Sequence, residues 1–177
     1  RIRLPRAGME LDFGGFGKEY AADRAMATLA VAGLRHGFVN LGGDIRVLGA
    51  RSDGGAWRFG IQHPRHAEGT VASVDMTEGA LASSGDYERF FELDGRRYCH
   101  ILDPRTGWPV SSWASVSVTA PACVAAGALS TIAMLKGGEA LAFLATQGAT
   151  YLAVDTALRT FHSELPTAQP FFSGEHE

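Results

Sequence analysis

Tyr98-Cys99-His100-Ile101-Leu102-Asp103-Pro104-Arg105-Thr106-Gly107-Trp108-Pro109-Val110 reads as a strand that runs into a tight turn. Tyr98, His100 and Leu102 alternate with Cys99 and Ile101, the period of a β-strand. Pro104 presets φ at the second turn position, Asp103 caps the turn amides, and Gly107 closes the turn. This reading places one imidazole, His100, on a rigid strand just before a turn carrying a carboxylate, a guanidinium and a hydroxyl. Such an arrangement suits acid–base chemistry. The same residues also fit a strand histidine with satisfied partners and an aspartate that only forms a turn, and the stretch by itself leaves both readings open.

Upstream, Asp94-Gly95 is a hairpin signal that joins residues 90–93 to this strand. Residues 84–89 form a turn after a strand at 79–83. Residues 57–62 and 70–76 are further strands around a polar loop at 64–69, with Trp57, Phe59 and Ile61 alternating with more polar partners. Residues 38–41 lead through Gly42-Gly43-Asp44 into residues 45–48. A helix is expected over residues 18–36, with Tyr20, Ala21, Ala25, Leu29 and Ala32 on one face and Gly37 as its C-cap. In front of it, Gly14, Gly15 and Gly17 let the backbone turn sharply, and the helix N-terminus favours an anion. The spacing is neither a Walker loop nor a full dinucleotide fingerprint, so a phosphate cradle and a close-packing turn both fit. Residues 1–4 read as a strand entered midway, followed by a turn at 5–8 and a segment at 9–13.

Downstream, residues 113–119 alternate as a strand, and Pro121 opens a helix at a position that tolerates proline. That helix, residues 122–135, is small and apolar and is expected to be buried on most sides. Gly137-Gly138 stops it, a second helix covers 139–146, and residues 150–154 form a strand with 158–162 as hairpin partner. Many strands, few helices and no βαβ alternation predict an α+β domain with mixed or antiparallel sheets over residues 1–165, then a polar tail at 166–177.

The 177 residues are 46% hydrophobic and 20% charged with a net charge of −3, an ordinary globular composition. That charge and the lack of a Lys/Arg block argue against nucleic acid. No uninterrupted apolar run reaches the ~18 residues of a membrane span. Cys99 and Cys123 lack metal-ligand spacing and do not fix the redox compartment. His36, His63 and His66 are not expected to share a face, and Ser83-Ser84-Gly85 is not a nucleophile elbow. The midway start suggests the C-terminal part of a longer protein.

Five segments in order resemble the ApbE family, the FAD:protein FMN transferases. They are Asp12-Phe-Gly-Gly-Phe-Gly-Lys18 with Tyr20 and Asp23, then Asn40-Leu-Gly-Gly-Asp44, Ser83-Ser-Gly-Asp-Tyr-Glu-Arg89, His100-Ile-Leu-Asp-Pro-Arg-Thr-Gly107 and Ala128-Leu-Ser-Thr131. The resemblance implies an ApbE-type α+β fold that uses FAD and Mg²⁺ to move FMN onto a Thr or Ser of an acceptor protein, with release of AMP. It implies His100 as the catalytic base. It gives Gly14, Gly15, Gly17 and Lys18 to the pyrophosphate, with Asp86, Tyr87, Arg89, Asp103 and Thr106 at or beside the cofactor. Gly17 and Thr131 would be metal ligands. Members are often periplasmic and anchored in the membrane upstream of the part seen here, so a membrane enters only through such an anchor.

Two positions depart from the family. Its helix usually reads Ala-Asp-Ala-Leu-Ser-Thr, with the Asp a metal ligand four residues before the Thr, but this chain has Gly127 there. Glu19 stands where the family commonly has Gly, and a carboxylate sits uneasily beside a pyrophosphate unless it serves the metal. Three readings follow: a degenerate relative that binds flavin but transfers poorly, an enzyme that recruits another carboxylate such as Asp12, Asp44 or Asp103, or an engineered or incidental change in an active enzyme.

Overall fold

The computed structural model describes residues 2–163, so the expected tail at 166–177 lies outside the described residues. Helix α1 (Gly17–Val31) is followed by β1 (Gly37–Leu41), β2 (Asp44–Leu48), β3 (Trp57–His63), β4 (His66–Met76) and β5 (Gly79–Gly85). Then come β6 (Phe90–Leu93), β7 (Arg96–Cys99), β8 (Trp113–Ala120), α2 (Cys123–Lys136), a 3₁₀ turn, α3 (Ala140–Thr146), β9 (Thr150–Asp155) and β10 (Thr160–His162).

Six strands form one antiparallel sheet in the order β1-β2-β5-β8-β9-β10, so the α+β expectation holds. Alternation decides what each face buries. Ile45, Val47, Leu81 and Leu152 point to one face and pack against Ile61, Ala72, Val74 and Met76 of the β3–β4 hairpin. Val116, Val118, Tyr151 and Ala153 point to the other and pack against Ala133 and Met134 of α2 and Ala140 and Leu144 of α3. Ala22 of α1 meets Ala80 and Cys123 on that same helical side. The sheet is thus sandwiched between a hairpin and a helical layer, in which α1 lies over β1 and β2 and the neighbouring α2 over β5 and β8.

Several expectations need correction. Residues 2–16 contain no strand, because they pair with no other strand among the described residues. Helix α1 ends at Val31 rather than near Gly37. Gly33, at φ 99°, takes the left-handed position, and the amides of Gly33 and Leu34 bond back to the carbonyls of Ala30 and Leu29. That is a Schellman closure, for which glycine is suited. The expected loop at 64–69 shrinks to a turn at Pro64 and Arg65. Strand β7 ends at Cys99, so His100 lies just past the strand rather than on it. The segment from Cys123 to Thr146 has mean hydropathy 1.3 over a membrane-length window. It is broken at the 3₁₀ turn Gly137–Glu139, and α2 packs on the sheet, so it forms two core helices.

Candidate functional site

Three of the motifs converge where α1, the β1–β2 turn and α2 meet. The loop before α1 is closed on itself. Asp12 Oδ1 accepts the Gly14 amide at 2.6 Å, and the Phe13 carbonyl accepts the Gly17 amide at 2.7 Å. Lys18 reaches across to Asp44 Oδ2 at 2.8 Å, an ion pair without good hydrogen-bond geometry, with Asp44 itself buried. In the same turn Asn40 Oδ1 accepts the Gly43 amide at 2.9 Å, and Gly42 and Gly43 hold φ of 63° and 92°. This turn therefore needs its glycines to bring Asp44 under Lys18.

Glu19, the next residue on α1, points inward and is 6% exposed. Its carboxylate lies against the backbone of Gly127. A Cβ at 127 would stand 2.5 Å from Glu19 Oε1, 2.6 Å from its Cγ and 2.9 Å from its Cδ. Glu19 Oε2 is sealed from solvent and accepts no hydrogen bond among the described residues. Burial raises the Glu19 carboxyl above its ordinary value, opposed by its own backbone hydrogen bond, reinforced by the charge of Asp44 and opposed again by Lys18.

One turn along α2 a chain of hydroxyls has a single consistent direction. Ser130 Oγ donates to the Gly127 carbonyl at 3.0 Å. A hydroxyl has one proton, so Ser84 Oγ donates to Ser130 Oγ at 2.8 Å, and Thr131 Oγ1 donates to Ser84 Oγ at 2.9 Å. Thr131 thereby spends its proton on Ser84 and keeps its oxygen lone pairs. That is the state a hard cation requires of a hydroxyl ligand.

The remaining expected residues lie apart from this cluster. Asp86 is buried and held by two parallel bonds from Arg65 at 2.6 and 2.8 Å, with Arg97 at 3.8 Å. The Tyr87 ring packs on Gly85, where a Cβ would collide with it, and burial pushes its phenol up to about 12, helped by Glu88, Asp86 and Asp44. The Arg89 side chain is exposed, and its carbonyl accepts the His100 amide at 3.0 Å and faces His100 Nδ1 at 3.2 Å. A carbonyl only accepts, so Nδ1 is the donor in this contact, and in the neutral ring Nε2 is then the acceptor. The turn at 103–107 forms as expected. Asp103 grips the Arg105 amide at 2.9 Å and its guanidinium at 2.8 and 3.0 Å, and the hydrogen bond from the Arg105 side chain lowers the Asp103 carboxyl. Thr106 Oγ1 accepts the Trp108 amide at 3.2 Å. Among the described residues no hydrogen bond or ion pair links His100 or this turn to Lys18, Glu19 or Asp44.

Asp23 has a role that the sequence did not suggest. From α1 its two carboxylate oxygens accept the amides of Cys123 and Val124 at 2.9 and 3.0 Å, capping α2 from another helix, and Arg46 pairs with it at 3.2 Å. A carboxylate at a helix N-terminus satisfies orphan donors and complements the dipole. No local spacing signals a cap delivered 100 residues away. The rings of His63 and His66 lie 4.5 Å apart, closer than expected, across the β3–β4 turn. Among the described residues no three His, Cys, Asp or Glu side chains gather around a common point. A cation here would depend on one or two carboxylates, a hydroxyl, a carbonyl and its substrate's phosphates, as Mg²⁺ commonly does.

The sequence profile described as the ApbE family matches residues 1–153. The FAD:protein FMN transferase of Treponema pallidum is 38% identical over 149 residues, covering 78% of this chain and 41% of that protein. The Escherichia coli K12 protein of the same name is 36% identical over 131 residues, covering 73% of this chain and 37% of that protein. The crystal structure of the ApbE protein from Thermotoga maritima superposes with a TM-score of 0.82 at 36% identity, covering 88% of this chain and 52% of that one. The Vibrio cholerae flavin transferase ApbE gives 0.75 at 30% identity. The chain spans about two fifths of the length of these two curated relatives.

Proposed function

The chain belongs to the ApbE family, and we propose that the protein carrying it is an FAD:protein FMN transferase. FMN would pass from FAD to the hydroxyl of a Thr or Ser on an acceptor protein, with AMP as leaving group. The observation that carries this reading is the convergence of four separated motifs. Lys18 meets Asp44, Glu19 faces Gly127, and Ser84 bonds Thr131.

Each residue has work within that scheme. Lys18, half exposed beside the glycine loop, offers its ammonium to a pyrophosphate, and exchanging Asp44 for phosphate oxygens costs little charge pairing. The loop at Gly14, Gly15 and Gly17 lets phosphate approach the start of α1. His100, with Nδ1–H turned to the Arg89 carbonyl, has Nε2 free to take the proton of the acceptor hydroxyl as it attacks phosphorus. Buried Asp86, clamped by Arg65, and the half-buried Tyr87 ring would form a wall beside the cofactor. Arg89, Asp103 and Thr106 supply polar groups to the cofactor's exposed side. A Mg²⁺ ion, held by Thr131 and the Gly17 carbonyl, would neutralise charge on the phosphates during in-line displacement. The buried orphan oxygen of Glu19 and the free lone pairs of Thr131 fit such an ion.

The test is covalent labelling of an acceptor protein by FAD and Mg²⁺, read as flavin fluorescence surviving denaturation. His100→Ala should abolish labelling while FAD binding persists. Normal labelling by that variant would remove His100 from the mechanism. Gly127 favours a second reading, a non-catalytic FAD-binding protein, from which FAD would be recovered intact.

A further inference from the structure

We propose that Glu19 supplies from α1 the cation-binding carboxylate that the family's usual aspartate supplies from α2, with Gly127 kept as glycine to make room for it. The inference rests on the Mg²⁺-dependent reading above and assigns that site its missing anion.

The two departures from the family occupy one space. The Glu19 Oε1, Cγ and Cδ atoms stand 2.5–2.9 Å from where a Cβ at 127 would be, so no side chain fits at 127 while Glu19 holds its place. A carboxylate removed from one helix has been replaced by one from the helix packed against it. Asp12, Asp103 and Asp44, the other available carboxylates, do not fill that gap. Asp12 is spent on the Gly14 amide and Asp103 on Arg105, while Asp44, whose Oδ2 is likewise buried without a hydrogen bond, sits against Lys18 on the β1–β2 turn, and the three atoms nearest a Cβ at 127 all belong to Glu19.

Glu19 also has the signature of an uncompleted ligand. It is 6% exposed and its Oε2 has no donor, a costly state for a carboxylate unless a positive charge is added. The local charges leave that need unmet. Glu19 and Asp44 bring two negative charges against the single ammonium of Lys18, while neighbouring Asp23 is matched by Arg46. On the same helix as Gly127 and four residues further, Thr131 presents an oxygen whose proton is already given to Ser84. Residues four apart lie on one helix face, so the space filled by Glu19 and the Thr131 oxygen adjoin. One carboxylate, one hydroxyl, a backbone carbonyl and substrate phosphates make a normal Mg²⁺ environment.

The experiment is a titration of the protein with Mn²⁺ alone, followed by loss of the free-ion paramagnetic resonance signal and competed with Mg²⁺. Parent protein, Glu19→Gln and the exchange variant Glu19→Gly/Gly127→Asp are compared, each checked for fold by circular dichroism. The expected result is one Mn²⁺ bound by the parent, affinity at least tenfold weaker in Glu19→Gln, and binding regained in the exchange variant. Parent-like affinity in Glu19→Gln overturns the inference. Binding by the exchange variant but not the parent also overturns it, while leaving the metal-dependent reading of the family site intact. Binding by neither overturns both.

Discussion

Gly127→Ala turns the contact between Glu19 and α2 into a stability measurement. In an unencumbered helix this change stabilises by ~1 kcal/mol, because alanine is the better helix former. Here the new methyl would meet three Glu19 atoms at 2.5, 2.6 and 2.9 Å. Comfortable carbon contacts lie at ~3.5–4.0 Å, so the overlap is about 1 Å and reaches back to Cγ. Glu19 cannot relieve it by swinging only its carboxylate. Overpacking of a buried site costs ~1–3 kcal/mol, so the parent should lose up to ~2 kcal/mol net. With Glu19→Ala already in place, the same Gly127→Ala should gain ~1 kcal/mol. The assay is a double-mutant cycle by urea denaturation, with an expected coupling of ~1–3 kcal/mol. For a chain of this length each kcal/mol also moves the melting temperature by ~2–4 °C. Equal stabilisation in both backgrounds would mean that Glu19 does not lie over Gly127, and the steric argument would fail.

Asp23→Ala should cost ~2 kcal/mol in the same assay, because two amides of α2 lose their cap and Arg46 loses its partner, while Asp23→Asn, which keeps an accepting oxygen, should cost less. A fully neutral Asp23→Ala would remove the cross-helix cap from the account. Arg65→Leu should destabilise by ~3 kcal/mol, since it leaves buried Asp86 with only Arg97 at 3.8 Å; a change below ~0.5 kcal/mol would show that the pair is not needed. Cys99 and Cys123 are both buried, and burial pushes the Cys123 thiol up to about 12, with Asp44, Asp23 and Glu19 adding to the rise. Neither should react with a disulfide reagent at pH 8 until the protein unfolds, and rapid reaction of the native protein would contradict that burial.

The sheet was legible because alternation and turn chemistry are local. Trp57, Phe59 and Ile61 mark β3, and Asp94-Gly95 marks the β6–β7 turn, where both residues take positive φ. The expected strand at residues 1–4 failed for a non-local reason, since a strand exists only with a neighbour to pair with. The helix end was misplaced because Gly37 looked like the stop, whereas Gly33 had already closed α1 two residues past Val31. The motifs of the site were visible, but not which of them touch. Asp23 capping α2, Arg65 holding Asp86 and Glu19 filling the space over Gly127 are all contacts between distant segments. The one signal for the last was that two departures from the family motif occur together and conserve a carboxylate.

AMP release reads out the proposed cleavage of FAD itself. FAD is incubated with the protein and an acceptor, with Mg²⁺ or with EDTA, and AMP is quantified by chromatography. The account predicts AMP accumulating with Mg²⁺ and none with EDTA, in step with flavin appearing on the acceptor. FAD recovered intact after prolonged incubation with Mg²⁺ would contradict it and leave a flavin-binding protein in its place.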